Sequence, residues 1–490
     1  MDEVKEAMEE FRAMGHYLVD RLADYLETAE ERPLSPAVEP RFLDELFRAP
    51  LPADPAPLAQ VVRELEEKLL PYSTQLSHPG YFGLITSSPT PAGILADFIA
   101  SALNQNLGAY TIGPAAVALE RRSVRWLADL AGYDERAGGN LTSGGTMATF
   151  IGLKLARDHV SRDRAQHDGV TARYAAYASE ERHVSVDKAA DAIGIGRNGL
   201  RVLPTDELFR LDLAALEAAI AADRAAGVRP LCIVGMGGTT NTGAVDDLRT
   251  LRTIADREGM WLHVDAAYGG GMLVSERHRD VLAGISLADS ITIDPHKWFF
   301  APVDAGAILV RDASALTRSF GMQPSYLRDR LDPGGERYNY YVHGFEQSRR
   351  FRGLKVWMGF KRYGAREIGR CVDANVEQAR HLHALAEAHP DFASATWPRM
   401  SAVCVRYRPG GVDAAGAGEA RLARIHALVA RRVEASGRFW ISTTVLKGRT
   451  HFRINPVNFR TRREHMDELF ALLAAECARA RQEEADQGGD

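Results

Sequence analysis

Apolar residues recur at two spacings along this chain, and the change from one to the other divides it. Near the start, Phe11, Met14, Leu18, Leu22 and Tyr25 stand three and four residues apart, as do Leu58, Val62, Leu65 and Leu69. That spacing gathers them on one face of a helix. The proline-rich stretches ERPLSPAVEP and APLPADPAP lie between them and stop any continuous helix. Residues 1–78 therefore read as a helical arm whose apolar faces need covering, and a second subunit is one way to cover them. From about residue 79 the texture shifts to short β-rich runs: YAAYAS, LRVLP, PLCIVGM, WLHVDAAY, SITIDPHKW and AGAILVR. Their alternation with helical segments predicts a large α/β domain over residues 79–370 with a mostly parallel central sheet. Residues 371–490 hold an alanine-rich helix, the strands SAVCVRYR and THFRINPV, and a closing helix striped by Met466, Leu469, Phe470 and Leu473. They read as a small α+β domain.

Composition narrows the function classes. The net charge of -5, with 26% charged and 46% hydrophobic residues, offers no basic field for nucleic acid or an anionic membrane. The first residues, MDEVKEAMEE, lack the basic start and apolar run of a signal peptide, so a cytoplasmic location is expected. Cys232, Cys371, Cys404 and Cys477 are too dispersed for a disulfide framework or a zinc knuckle and read as buried thiols; no metal site is expected.

The chemistry concentrates at strand ends. ITIDPHKWFF delivers His296 and Lys297 at the end of an apolar run, and WLHVDAAY ends on Asp265 with small residues after it. A lysine able to form a Schiff base and a carboxylate able to hold a pyridinium proton are what pyridoxal 5'-phosphate requires. In parallel sheets ligands sit at the carboxyl ends of strands, where both residues fall. Taken alone, Lys297 also reads as a surface lysine and Asp265 as a helix cap. NLTSGGTMATFIGLKLAR places Ser143, Gly144, Gly145 and Thr146 at a helix start, which suits a phosphate; a glycine-plus-cap opening is equally common in plain helices. His183, in SEERHVSVDKAA, stands where strand gives way to helix and could stack on a pyridine ring or be an ordinary turn histidine. In MGGTTNTGAVDD, Thr239 or Thr240 could donate a hydrogen bond to the cofactor or simply belong to a polar turn.

With HPGYFG, LNQNLGAY, GGTTNTGAVDD, LHVDAAYGG, DPHKW and RRFRGLKVW in place, the chain resembles the group II pyridoxal-phosphate decarboxylases over most of its length. Within that family it is most similar to the aromatic-L-amino-acid branch. The resemblance implies a type I pyridoxal-phosphate fold, like that of aspartate aminotransferase, and a homodimer with shared active sites. It implies that Lys297 bonds the cofactor, Asp265 pairs with the ring nitrogen, Ala267 packs beneath the ring and His183 stacks above it. Ser143, Gly144, Gly145 and His296 would lie near the phosphate. Tyr326, in GMQPSYLRDRL, matches a loop tyrosine that helps return a proton after carbon dioxide leaves.

Departures from the animal aromatic enzymes fall in the substrate wall, where this chain has Leu84, Ile85, Thr86 and Asn106. Asp294 stands where some relatives have asparagine and is expected to turn away from the phosphate. The expected reaction is α-decarboxylation of a small-molecule L-amino acid, most simply an aromatic one, to the amine and carbon dioxide. The rivals are an aromatic aldehyde synthase, against which Tyr326 argues, a decarboxylase of a non-aromatic amino acid, and a noncatalytic scaffold.

Overall fold

In the computed structural model, which describes residues 2–322, 336–411 and 417–487, the chain divides into two compact units. One comprises Ile85–His383 with Thr396–Cys404; the other comprises Met1–Leu84, Ala384–Ala395 and Val405–Asp490.

The first unit is built on seven strands: β1 (Gly138–Thr142), β2 (Tyr174–Ser179), β3 (Leu200–Leu203), β4 (Arg229–Met236), β5 (Trp261–Asp265), β6 (Ser290–Ile293) and β7 (Gly306–Val310). Their order is β1-β7-β6-β5-β4-β2-β3. The pairs β3/β2, β2/β4, β4/β5 and β5/β6 are parallel, while β6/β7 and β7/β1 are antiparallel. Two antiparallel steps restore the direction, so β1 ends at the same edge as β6, β5, β4 and β2. Every residue of β2, β5, β6 and β7 is buried, as expected of strands covered by helices on both faces. On one face lies the helix Gly145–Ser161, whose Ala148, Ile151, Leu155 and Ala156 join a core with Ala176, Ala178, Val234 and Ile308. The helix Leu248–Glu258 packs against β4 and β5 through a stripe including Leu251 and Ile254.

The run RRFRGLK carries interior cations, which the sequence pattern alone did not reveal. Arg349 is 4% exposed and bonds both Glu120 Oε1 and the Leu141 carbonyl at 2.7 Å. Arg352 donates to Asp304 Oδ2 at 2.9 Å, and Lys355, 1% exposed, meets Asp97 Oδ2 at 2.8 Å and the Pro302 carbonyl at 3.3 Å. Buried charges persist only when paired and hydrogen-bonded. These pairs fix the chain between Pro302 and Asp304, a few residues beyond Lys297.

The second unit holds a sheet of order β10-β11-β9-β8, made of β8 (Phe392–Ser394), β9 (Val403–Tyr407, which starts in the first unit), β10 (Ser442–Leu446) and β11 (Arg449–Ile454). The helices Ala417–Ala435 and Arg463–Gln487 pack on each other, and Met466, Leu469, Phe470 and Leu473 are buried as their spacing predicts. HPGYFG serves this unit's packing. Phe82 N–H donates to the Trp440 carbonyl at 2.8 Å, Trp440 N–H donates to Gly80, and the Tyr81 ring stacks on Trp440 at 5.4 Å. The helices Asp2–Glu27 and Leu58–Lys68 realise the predicted arm elements, with Phe11, Leu22, Leu65 and Leu69 left exposed.

Candidate active site

The carboxyl edge of the large sheet opens into a cavity of about 410 Å³. Five strand ends supply parts of its wall. Ser143–Met147 follow β1, His183 and Ser185 follow β2, Met236 and Gly238–Thr240 come from the end of β4, Asp265, Ala267 and Tyr268 from β5, and Asp294, His296 and Lys297 from β6. Ser143, Gly144, Gly145, His183, Thr240, Asp265, Ala267, His296 and Lys297, scattered over 155 positions, thus meet at one place.

Backbone geometry explains the glycines at the β1 exit. Gly144 has φ 152°, a conformation side chains avoid. At Gly145 a Cβ would lie 2.8 Å from Asp294 Oδ2 and 3.2 Å from the Ala267 Cβ. The turn therefore brings the N-terminus of the helix Gly145–Ser161 against the cavity, with amide groups and dipole suited to an anion.

Asp265 is 7% exposed, and its Oδ1 accepts the Ala267 N–H at 3.0 Å. His183 caps the helix Val184–Ala192: its Nδ1 accepts the Ser185 N–H at 3.2 Å. Burial lowers the His183 pKa, with the charge of Asp265 opposing. The ring is thus neutral near pH 7, and because Nδ1 accepts, Nε2 carries the proton. His296 is arranged alike. Its Nδ1 accepts the Ala305 N–H at 3.0 Å and burial lowers its pKa, so Nε2–H is the free donor.

Asp294 corrects an expectation. Rather than turning away, its carboxylate lines the cavity, with Oδ2 3.2 Å from Lys297 Nζ and 3.7 Å from His296 Nε2. The lysine supplies the charge that draws it inward. Thr239 and Thr240 both line the cavity, and Thr239 Oγ1 also pairs with Thr242 Oγ1 at 2.9 Å. Ile85, Thr86 and Asn106 are not among the lining residues, and Leu84, in the other unit, is 53% exposed. Asn106 Oδ1 instead accepts the N–H groups of Gly108 and Arg349 at 2.9 and 3.0 Å. Tyr326 lies outside the described residues. Among the described residues no group of His, Cys, Asp or Glu is placed to hold a metal, and no helix is long and apolar enough to cross a membrane.

Sequence reasoning passed over Tyr268 and Asp246. Tyr268 stacks on Trp298 at 4.9 Å and its hydroxyl pairs with Ser401 Oγ at 2.6 Å. Asp246 clamps the end of β4: its two oxygens accept the N–H groups of Met236 and Leu211, each at 2.7 Å. Burial pushes the Asp246 carboxyl up from 3.8 to about 6. An acid whose folded pKa exceeds its unfolded one contributes most stability when protonated, and that contribution fades as pH rises from near 3.8 through 6. At 1.36 kcal/mol per pKa unit the change is roughly 3 kcal/mol. Asp246→Asn should be less stable at pH 4, since one N–H then faces an amide donor, and the gap to wild type should narrow by about that amount by pH 7. Thermal unfolding of both proteins across this range checks the sign; a gap that widens with pH contradicts it.

A lysine, a buried carboxylate and a helix start suited to an anion, all facing one cavity, fit pyridoxal phosphate by donor chemistry and by the close backbone approach at Gly145. The pyridoxal-dependent decarboxylase conserved domain matches residues 40–408, and the chain belongs to the pyridoxal-dependent decarboxylase family. It is 30% identical over 467 residues to an aromatic-L-amino-acid decarboxylase of Bacillus atrophaeus, covering 95% of each chain. It is 29% identical to a phenylacetaldehyde synthase of Arabidopsis thaliana, covering 96% of each. The solved structure of Oryza sativa TDC with PLP and tryptamine superposes with a TM-score of 0.90 at 30% identity, covering 96% of this chain and 98% of that one. This protein is accordingly a pyridoxal-phosphate-dependent carboxy-lyase acting on an amino acid, with an α/β fold of type I.

Proposed function

We propose that the substrate is an aromatic L-amino acid, which loses its α-carboxyl group to give the amine and carbon dioxide. The observation that carries the site assignment is the convergence of Lys297, Asp265 and the Gly144–Thr146 helix start on one cavity; relatives whose names specify aromatic substrates support the substrate class. When bound, pyridoxal phosphate supplies an electron sink for the bond to the carboxylate. Lys297 would hold the cofactor through its amine, which lines the cavity. Asp265 holds a proton on the ring nitrogen. The Gly145 and Thr146 amides, the Ser143 hydroxyl and His296 Nε2–H would hold the phosphate, and Ala267 and Thr240, which line the same cavity, would adjoin the ring. His183, neutral, would stack on the ring and offer Nε2–H to the substrate carboxylate. Tyr326 would assist return of a proton to the substrate carbon, as donor or relay.

The assembly is a cytoplasmic homodimer. On the helix Pro91–Leu103, Leu95, Phe98, Ile99 and Leu103 share one face and are 42–54% exposed, a pattern that calls for a partner surface. The arm, residues 1–78, adds Val4, Met8 and Phe11 at 47–69% exposed. A second copy would bring Leu84, Ile85, Thr86 and Asn106 to its partner's cavity as the substrate wall.

Assaying amine, carbon dioxide and aldehyde from all common L-amino acids and dihydroxyphenylalanine tests the substrate class. The highest kcat/KM should belong to an aromatic substrate, with amine matching carbon dioxide. A non-aromatic optimum refutes the substrate reading, and aldehyde matching carbon dioxide moves the chain to the synthase branch. Thr86→Val should change the preference between hydroxylated and plain aromatic rings on the order of tenfold; an unchanged ratio places the wall elsewhere. Thr86 is the cleaner probe because Asn106 also ties two backbone N–H groups.

A further inference from the structure

Asp294 brings to the cavity a negative charge for which the catalytic reading has no task. Its side chain is almost fully buried, at 2% exposure for the residue, and Oδ1 accepts no hydrogen bond from the described residues. Oδ2 stands 3.2 Å from Lys297 Nζ and 3.7 Å from His296 Nε2. The positions a Gly145 Cβ would contact at 2.8 and 3.3 Å are the two carboxylate oxygens, so the group rests against the first residue of the helix whose N-terminus faces the cavity. Asp265 and His183 face the same cavity from the ends of β5 and β2.

A buried carboxylate with an unpaired oxygen is costly to keep. Here Lys297 is the cation beside it, and the helix end is the nearest source of positive potential. An incoming phosphate group would use that same helix end. Resting on the cavity being the cofactor site, we propose that Asp294 is a built-in counter-anion that pairs with Lys297 and opposes the cofactor's phosphate, so that the chain holds phosphorylated cofactor loosely and exchanges it readily. Asparagine at this position carries no opposing charge and offers an N–H donor to the phosphate, so the residue at 294 sets how much free cofactor the enzyme needs.

The test is equilibrium titration of the cofactor-free full chain with pyridoxal phosphate and, separately, with pyridoxal, read by quenching of tryptophan fluorescence. Asp294→Asn should bind pyridoxal phosphate about tenfold tighter than wild type, a change of about 1.4 kcal/mol, while pyridoxal affinity moves by less than about threefold because it lacks the opposed group. Asp294→Ser, smaller and also neutral, should tighten phosphate-dependent binding in the same direction. Unchanged or weaker binding of pyridoxal phosphate by both variants overturns the proposal, as does equal tightening toward both ligands, which would mean that Asp294 acts on Lys297 alone. If wild type binds pyridoxal phosphate and the variants bind it no better, only the counter-anion idea falls. If wild type binds neither ligand, the cofactor site falls and takes the proposal with it.

Discussion

Lys297→Ala should lower turnover by at least about 10⁴-fold, because the proposed role makes this amine the covalent anchor rather than a packing element. The fold should survive. The Lys297 side chain is 21% exposed and its ammonium pairs with Asp294, whereas the packing at this corner comes from neighbouring Trp298, fully buried against Tyr268. The buried Lys355 and the half-buried Lys154 already have structural tasks. Lys355 is held by Asp97 and the Pro302 carbonyl, and Lys154 by Asp158 and Ser319; burial lowers the pKa of both. Borohydride reduction of the wild-type holoenzyme followed by peptide mapping should therefore label Lys297. A label on Lys355 or Lys154, or an active Lys297→Ala enzyme, would reject the assignment.

Most of the large-sheet strands that were legible in the sequence are those whose burial on both faces leaves a continuous apolar run. YAAYAS coincides with β2, PLCIVGM covers β4 except Arg229, WLHVDAAY, SITIDPHKW and AGAILVR contain β5 to β7, and the shorter LRVLP contains the less buried β3. β1, GGNLT, was not legible, since two glycines and an asparagine have little intrinsic strand preference. Tertiary pairing with β7 makes it a strand: a Cβ on Gly139 would lie 2.1 Å from the Ile308 carbonyl oxygen. The site was legible where a residue type is chemically specific, as for Lys297, Asp265 and His183, all of which reach the cavity. Asp294 was misread because its position was judged against a phosphate and not against the ammonium three residues along the chain. Asp246 and the cations of RRFRGLK escaped because their partners come from Leu211, Glu120, Asp97 and Asp304, distances in sequence that no local pattern encodes.

Asp265→Asn should reduce kcat/KM by roughly a thousandfold while leaving the structure intact. The change conserves volume, and an asparagine carbonyl oxygen can still accept the Ala267 N–H that Asp265 Oδ1 takes at 3.0 Å. Charge is what is lost. Two residues earlier on the same face of β5, His263 is fully buried, bonded to Ser290 Oγ at 2.8 Å and Thr292 Oγ1 at 3.2 Å, and burial holds its pKa down to about 4. That neighbour is neutral near pH 7 and supplies no counter-charge to Asp265, so the carboxylate's natural cation is one that enters the cavity. Opposite charges about 4 Å apart at an effective dielectric near 20 attract by roughly 4 kcal/mol, equivalent to about 3 pKa units on the ring nitrogen or three decades in rate. An amide provides none of that attraction, and the ring nitrogen would lose its proton near neutral pH. Steady-state kinetics with cofactor occupancy measured in parallel decides the point: a loss smaller than about tenfold in a fully loaded Asp265→Asn enzyme would show that the carboxylate does not hold the proton on which the electron sink depends.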